Sequence, residues 1–306
     1  GAWRRLPYLP PVLPYNNRDM ERRPEGKLQK IMLDGGFTCP NRDGRVGQGG
    51  CTFCLCESFN PEYCRRHSTI TEQMEAGKKF FEGKYPRMQY LAYFQAYSST
   101  YAPLEVLRRR YDEALAVEDV VGLVVATRPD CIDDDVLALL VSIRERGYSV
   151  AIELGCETFH DRTLARVNRG HTSHQSVDAI HLCHKYGLPV TVHLMFGLPG
   201  EGRDDILAEA EILNALPVAS LKIHQLQILR GTRMAREWEE RKEDFLSFTL
   251  DTYAQLVADF VQRLRSGIRI ERFASSAPRD MLISPRFGVK QSVVEARIRA
   301  LMGKER

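Results

Sequence analysis

The stretch that decides the fold is residues 28–54, LQKIMLDGGFTCPNRDGRVGQGGCTFC. Its first six residues, Leu28–Leu33, are a mainly apolar run that predicts a β-strand. The run leads into a glycine-rich loop that carries Cys39, Cys51 and Cys54 in the pattern C-x11-C-x2-C. Functional residues of parallel α/β folds lie at the C-terminal ends of strands. The thiol loop therefore predicts a functional site directly after the first strand.

The same alternation of apolar runs and helical patterns continues along the chain. Further strands are predicted at Met88–Gln95, Val120–Thr127, Tyr148–Gly155, Leu188–Phe196 and Ala219–Gln225, with a weaker one at Ile268–Phe273. Helices are predicted between them: one capped by Thr71 and running through Lys84, then Pro103–Val117, Asp133–Gly147, Ser173–Gly187 and Asp204–Leu216. Repeated βα units imply parallel strands with right-handed crossovers. Six such units favour a closed or partly closed barrel, with a doubly wound open sheet as the alternative.

The composition sets limits on the class of protein. Hydrophobic residues make up 43% of the 306 positions and charged residues 27%, which excludes collagen-like, low-complexity and largely disordered chains. The net charge of +3 neither requires nor excludes a nucleic-acid partner. No run of 18 apolar residues occurs, and prolines interrupt the first 19 residues, so we expect neither a transmembrane helix nor a signal peptide. The clustered cysteines favour metal or redox chemistry in a cytoplasmic protein.

Three clustered thiols allow two kinds of metal site. Thiolates are soft ligands that suit zinc or an iron–sulfur cluster. A structural zinc site closes its fourth position, for which Cys56, Cys64 or His67 are candidates. A 4Fe–4S cluster held by three thiolates instead leaves one iron open to a substrate or cofactor. The spacing alone does not separate these alternatives.

The wider context resembles the radical S-adenosylmethionine (SAM) superfamily, in which a cysteine triad follows the first strand of a βα barrel. The usual motif of that superfamily, C-x3-C-x2-C, is shorter than the one here. The longer first gap, with CPNRDG and GGCTFC, is similar to a bacterial group of the YhcC/YtqA type, related to the radical SAM domain of the elongator catalytic subunit. The resemblance spans about residues 28–290 and continues through YLAYFQAYSSTYAP, VVGLVVATRPDC, RVNRGH, FGLPGE, LKIHQLQILRGT and APRDMLISP.

This resemblance implies an α/β fold, a partial (β/α)6 TIM-like barrel of the radical SAM type. We expect a basic, Pro-rich N-terminal arm at 1–27, the barrel at 28–236 and a C-terminal extension at 237–306 that packs on the barrel. Cys39, Cys51 and Cys54 would hold a 4Fe–4S cluster whose open iron is chelated by SAM. One electron from a flavodoxin- or ferredoxin-like donor would then cleave SAM into methionine and a 5′-deoxyadenosyl radical.

The resemblance also predicts SAM contacts at the strand ends. Gln95 would meet the methionine amino group, because the family's Gly-Gly-Glu is absent after the second strand. Arg128 would hold a carboxylate or phosphate, unless it only pairs with Asp130. Glu153 interrupts an apolar strand and needs a partner, for which the SAM ribose is a candidate.

Further contacts are predicted from the second half of the barrel. Arg166 would approach the cofactor carboxylate, with a basic surface loop as the alternative. His193 would face the cofactor or be a hydrogen-bonded core residue. Gly197 would lie against adenine, and His224 and Gln225 would meet the adenine edge or only cap the barrel.

The implied substrate is tRNA, at the C5 side chain of a wobble uridine. The arm could grip an RNA backbone or be a solvated tail; its basic residues are Arg4, Arg5, Arg18, Arg22, Arg23 and Lys27. A small metabolite is the rival substrate. A zinc-stabilised, non-catalytic nucleic-acid-binding protein is the rival class.

Overall fold

The computed structural model describes residues 27–55, 60–66, 69–82 and 88–303. Seven parallel strands form one curled sheet: β1 (Lys27–Leu33), β2 (Met88–Phe94), β3 (Val120–Thr127), β4 (Ser149–Glu157), β5 (Val190–Phe196), β6 (Ser220–Gln225) and β8 (Arg269–Arg272). Their order in the sheet follows the chain, and each strand pairs with the next. Within the described ranges β1 and β8 are edges that do not pair with each other. The predicted partial barrel is therefore confirmed.

The described residues form ten α-helices, most of which pack on the convex side of the sheet. They are α1 (Glu62–Arg66), α2 (Ile70–Phe81), α3 (Leu104–Leu115), α4 (Asp134–Glu145), α5 (Asp161–Arg166), α6 (Ser173–Lys185), α7 (Arg203–Asn214), α8 (Arg233–Glu240), α9 (Leu250–Arg263) and α10 (Gln291–Gly303). Two short antiparallel strands, β7 (Ile228–Leu229) and β9 (Leu282–Ser284), pair outside the main sheet. Over the described ranges, no helix has both the length and the apolar character needed to cross a membrane.

Local signals set the helix ends. The hydroxyl of Thr69 accepts from the Glu72 N–H and the Glu72 carboxylate accepts from the Thr69 N–H, so α2 begins after a capping box. The prediction of Thr71 as this cap was wrong, because Thr71 lies in the first turn and donates to Glu113 of α3. Gly147 and Gly187 follow α4 and α6 with φ of +96° and +67°, the predicted left-handed C-terminal caps.

The convex face of the sheet carries the main apolar core. Phe94 of β2 meets Tyr111 of α3 at 5.2 Å between ring centroids, and Phe196 of β5 meets Phe260 of α9 at 4.9 Å. All four rings are fully buried. Burying each such side chain contributes about 1.5–3 kcal/mol.

The concave face divides into two halves. On the β1–β3 side it is apolar, with Leu28, Leu91, Val124 and Ala126 in one cluster. On the β4–β8 side it is polar: Glu153, Thr191, His193, Ser220, Lys222 and Glu271 form ion pairs and hydrogen bonds with one another. A closed TIM barrel fills its interior with branched aliphatic side chains, so the polar half marks a site.

The extension completes this concave face. β8, the predicted weak strand, comes from the 237–306 segment and pairs with β6. Its register shifts at Leu221/Lys222, so that Lys222 lies beside Arg272. Strand β8 thus contributes side chains to the interior, while Ile270 and Phe273 pack outward into the main core.

Candidate cofactor site and barrel interior

The thiol loop follows β1 and crosses the open end of the half-barrel. The Thr52 N–H donates to the Val167 carbonyl (2.9 Å), and the Met234 N–H of α8 donates to the Thr52 carbonyl (2.9 Å). Gly44, Gly49 and Gly50 have positive φ, which lets the loop fold back tightly. Cys39 and Cys51 are buried, Cys54 is half-buried, and none of the three forms a disulfide.

Nitrogen donors surround two of the thiols. Asn41 Nδ2 lies 3.7 Å from Cys51 Sγ, and Arg169 Nη1 lies 3.4 Å from the same sulfur. Arg42 Nη1 lies 3.9 Å from Cys54 Sγ. Cationic and N–H donors stabilise thiolates and tune iron–sulfur sites. The phrases CPNRDG and RVNRGH thus meet at the sulfurs.

The geometry of the sulfurs distinguishes the two kinds of metal site. Across the described ranges, the set of three His, Cys, Asp or Glu side chains whose ligand atoms all lie within 4.8 Å of one another is His160, Glu201 and Glu209. The three loop thiols are spread more widely. A single zinc ion with Zn–S bonds of about 2.3 Å needs sulfurs about 3.8 Å apart, whereas a 4Fe–4S cluster takes each thiolate on a different iron. The thiols therefore do not have the spacing of a single zinc site, and their wider spread is compatible with ligands on separate irons.

The surroundings of the loop agree with that arrangement. A cavity of about 240 Å³ lies beside Cys51 and Cys54 and is lined in part by Gly49, Thr52 and Gly231. Cys64, a candidate fourth zinc ligand, instead donates to the Met32 carbonyl at 3.4 Å, and burial raises the pKa of its thiol to about 11. Cys56 and His67, the other two candidates, lie outside the described residues, as does the arm at 1–26.

Two predicted SAM contacts follow β2 and β3. Gln95 is half-buried, and its N–H donates to the Leu33 carbonyl (3.4 Å). Arg128 is buried and bidentate to Asp130, at 2.8 Å from Nε and 3.0 Å from Nη2, which is the ion pair foreseen as the alternative. Its buried Nη1 has no hydrogen-bond partner within the described ranges. This Nη1 group can therefore donate to one further acceptor. The SAM contacts of Gln95 and Arg128 stay predictions.

Three other predicted contacts touch the C-terminal extension. Arg166 pairs with Glu237 (2.8 Å) and Asp244 (2.5 Å). Gly197 has φ of +93°, and a Cβ there would lie 2.6 Å from the Phe248 ring. The Gln225 amide exchanges two hydrogen bonds with the backbone of Ser275, at 2.8 and 3.2 Å. These residues hold the extension on the barrel, and their contacts with SAM stay predictions.

Glu153 is the centre of the polar interior. Its Oε1 accepts from Lys222 Nζ (2.5 Å) and Lys30 Nζ (2.9 Å). Its Oε2 lies 2.6 Å from the Tyr93 hydroxyl and 2.8 Å from His193 Nε2. Burial opposes ionisation, but Lys222, Lys30 and His193 outweigh it and hold the pKa of the carboxyl well below its usual range. The carboxylate has the partner that the sequence required, and its predicted ribose contact stays a prediction.

The bases around Glu153 respond to burial. Burial lowers the pKa of Lys222 to about 8 and the pKa of His224 to about 3, and it also lowers the pKa of His193. Both histidines are therefore neutral at pH 7. As predicted, Lys222 and His224 share one face of β6, with His193 on the same inner face of β5.

Sequence reasoning missed several partners in the interior. Lys30 reaches from edge strand β1 to Glu153 and lies 3.7 Å from Glu271 of edge strand β8. Tyr93 lies under both lysines, with Lys222 Nζ at 5.0 Å and Lys30 Nζ at 5.2 Å from its ring centroid. The available signal was Lys30 itself, a charged residue inside an apolar strand, as Glu153 is.

Comparison with known proteins identifies the class. Residues 41–213 match the radical SAM superfamily, and residues 218–304 match the radical SAM C-terminal domain. The first match covers more than half of the chain, and the chain therefore belongs to the radical SAM superfamily. Proteins of this family bind a 4Fe–4S cluster and SAM, as predicted from the motifs.

Particular relatives refine the comparison. The chain is 41% identical over 267 residues to protein YhcC of Escherichia coli, covering 87% of this chain and 84% of YhcC. It is 39% identical over 265 residues to YtqA of Bacillus subtilis, covering 87% and 81%. A tRNA uridine(34) acetyltransferase of Dehalococcoides mccartyi is 28% identical over 188 residues, 58% of this chain and 39% of that protein.

A solved structure supports the fold. Archaeal Elp3 of Methanocaldococcus infernus superposes with a TM-score of 0.69 at 16% identity, covering 91% of this chain and 63% of that one. The half-barrel and the C-terminal extension are therefore both part of a known arrangement.

Proposed function

We propose that this radical SAM enzyme acts on tRNA and builds or remodels the C5 side chain of a wobble uridine. The observation that carries the chemistry is the thiol triad, with N–H donors at Cys51 and Cys54, over the open end of a half-barrel whose inner face is polar. When bound, the cluster and SAM supply a 5′-deoxyadenosyl radical that abstracts a hydrogen atom from the substrate.

The chain's own residues have distinct tasks in this proposal. Cys39, Cys51 and Cys54 are the cluster ligands, and Arg169 and Asn41 orient and stabilise the Cys51 thiolate. The eight predicted SAM contacts are Gln95, Arg128, Glu153, Arg166, His193, Gly197, His224 and Gln225; Glu153 and His193 lie within their strands, and Arg166 lies in α5. The loop and the extension together exclude water from the reacting atoms.

The electron has an accessible route to the loop. Cys54 is the half-buried thiol, and the cavity beside it is lined by Arg42 and Arg233 among others. A flavodoxin- or ferredoxin-like protein is the proposed donor.

The tRNA assignment has its support in the relatives. The Dehalococcoides relative is named for uridine 34 of tRNA and aligns with 58% of this chain. The Elp3 fold covers both the barrel and the extension. A polar interior with neutral histidines and a lysine suits the hydrogen-bonding edges of a base.

The cluster assignment is tested by colour and iron content. In anaerobically purified protein, Cys54→Ala should lose most of the visible absorption and bound iron, because one of three ligands is gone. Cys64→Ala is the matched control, since that thiol donates to the Met32 carbonyl and is not part of the loop triad, and it should keep the spectrum. A colourless wild-type protein that contains zinc would favour the non-catalytic alternative.

The substrate is tested in cells. Nucleoside mass spectrometry of bulk tRNA, with and without the gene, should show the loss of one modified wobble uridine and the accumulation of its precursor. An unaltered tRNA profile, with the gene expressed, would contradict the tRNA assignment and favour a small metabolite, while leaving family membership intact.

A further inference from the structure

Strand β8 presents two neighbouring side chains to the interior. Ile270 and Phe273 pack outward in the main core. Glu271 and Arg272 lie between these two residues, and the register shift in the pairing of β6 with β8 turns both of their side chains inward. Glu271 Oε1 accepts from the hydroxyls of Thr191 (3.1 Å) and Ser220 (2.6 Å), and Arg272 lies beside Lys222 in the ladder.

Arg272 differs from the other charged residues of this layer. Its Nε is buried without a hydrogen-bond partner, and its guanidinium forms no hydrogen bond or ion pair with any described residue. Lys30 and Lys222, in contrast, both bind Glu153. Arg272 is half-buried, and a buried N–H without an acceptor, such as its Nε, is costly unless a ligand supplies one.

The charges of the layer do not balance. Lys30, Lys222 and Arg272 are three cations beside the two carboxylates Glu153 and Glu271, and Arg269, in register with Ser220, is a further cation on β8. His193 and His224 are neutral and add none. The surplus lies on the β6–β8 side, where Arg272 meets Lys222. An interior with this charge favours an anionic ligand.

We propose that Arg272 and Lys222 bind a phosphate group of the substrate inside the half-barrel. The guanidinium supplies the two parallel N–H groups that match a phosphate, and Lys222 adds a donor beside its bond to Glu153. His224, two residues further along the same face, borders this pair, with its Nδ1 3.4 Å from the Gln225 carbonyl. The inference rests on the proposed function, in which the phosphate is the one next to the nucleotide that enters the barrel.

Two oxyanions could fill this site, the phosphate of a nucleotide or the carboxylate of the methionine moiety. Binding of three ligands to the cluster-containing protein distinguishes the two oxyanions: uridine 5′-monophosphate, uridine and methionine. Calorimetric titration compares wild type with Arg272→Ala and Arg272→Lys. Arg108→Ala, which removes an exposed arginine of α3 outside the barrel, is the matched control.

Wild type should bind uridine 5′-monophosphate more tightly than uridine. Arg272→Ala should lose about tenfold or more in affinity for the monophosphate, the equivalent of one charged hydrogen-bond pair, with uridine unchanged. Arg272→Lys should retain part of the difference, and Arg108→Ala all of it. Equal binding of the monophosphate by wild type and Arg272→Ala overturns the proposal. So does a loss confined to methionine, which would assign Arg272 to the cofactor.

Folding does not confound this test. Arg272 has no hydrogen-bond partner among the described residues, so Arg272→Ala should melt no lower than wild type in phosphate-free buffer, and inorganic phosphate should raise the melting temperature of wild type more. Complementation separates the two proposals. If wild type restores the tRNA modification and Arg272→Ala restores it equally, only the phosphate site fails. If tRNA is unaltered while Arg272 still governs monophosphate binding, only the tRNA assignment fails.

Discussion

Two buried glutamates are equally inaccessible to solvent but differ in charge. The one in the interior of the half-barrel is ionised, and the one in the outer layer is neutral. Glu153 of β4 and Glu209 of α7 are each about 1% exposed. Glu153 binds two lysines, a tyrosine and a histidine. Glu209, between the end of β4 and α7, accepts from the Phe159 N–H (2.6 Å) and contacts the Thr158 hydroxyl (2.7 Å).

In the outer layer, Glu201 and Glu209 share one hydroxyl hydrogen, which cannot form a hydrogen bond to both carboxylates at once. The Thr158 hydroxyl lies 2.7 Å from both Glu209 Oε1 and Glu201 Oε1, and it has a single hydrogen to donate. Burial, with the charge of Glu201, raises the pKa of Glu209 to about 8, so this carboxyl is neutral at pH 7. Burial therefore does not decide ionisation by itself. The supply of cations decides it: Glu153 binds two lysines, whereas no described Lys or Arg forms an ion pair with Glu209.

The largest expected effect comes from breaking the interior set. Glu153→Gln should destabilise the protein by about 3–5 kcal/mol at neutral pH, because Lys30 and Lys222 then stay buried without their shared carboxylate. Urea unfolding of the anaerobically purified protein measures the loss. Adding Lys222→Met to this variant should recover part of it. A loss below about 1 kcal/mol would contradict the interior charge assignment. SAM titration of the same variant tests the predicted ribose contact.

The second effect is the pH dependence of that loss. The pKa of Glu153 is lowered below 4.5 in the folded protein, so its contribution is complete above the unfolded value and disappears as the pH falls through the folded one. The stability difference between wild type and Glu153→Gln should therefore shrink as the pH falls below 4.5. Unfolding curves recorded across that range check the sign. A difference that grows on acidification would mean that Glu153 is neutral in the fold.

The smallest effect at acidic pH is expected in the outer layer. Glu209→Gln should change stability by less than about 1 kcal/mol at pH 4.5, because the amide replaces a protonated carboxyl that already makes the same contacts. The raised pKa of Glu209 makes wild type lose stability as the pH rises from 4.5 to about 8, and the variant should not share that loss. Glu211→Gln, at an exposed position of the same helix, is the control. Parallel pH profiles for wild type and Glu209→Gln would contradict the shared proton.

Much of the fold follows from periodicity. Strand β3 was predicted with the bounds it has, and every strand of the main sheet was found within about two residues. Local sequence decides these elements, because a strand buried on both faces is an apolar run wherever it pairs. Strand β4 runs two residues beyond its predicted end at Gly155. That glycine does not end the strand; it makes room for the Arg169 guanidinium, which a Cβ would approach to 2.8 Å.

The site was less accessible to sequence reasoning. The triad could be recognised because its members lie within one loop. The partners of Glu153 come from positions 123, 60, 40 and 69 residues away, so a lone carboxylate predicts that a partner exists without saying which. Arg272 faces inward because of a register shift, which no period of two predicts. The side-chain contacts of the interior thus depend on long-range strand pairing, whereas the strands and helices themselves follow from local sequence patterns.

The contact between Lys30 and Glu271 has a mechanical consequence. Six backbone ladders join the seven strands, and none of them joins β1 to β8. At that place the described side chains alone bring the edges together, with Lys30 Nζ 3.7 Å from Glu271 Oε2. The curled sheet therefore has one gap in its backbone hydrogen bonding, between the edge strands β1 and β8. A ligand too wide for the interior can move β1 and β8 apart by breaking the ion pair between Lys30 and Glu271, while all six backbone ladders stay intact.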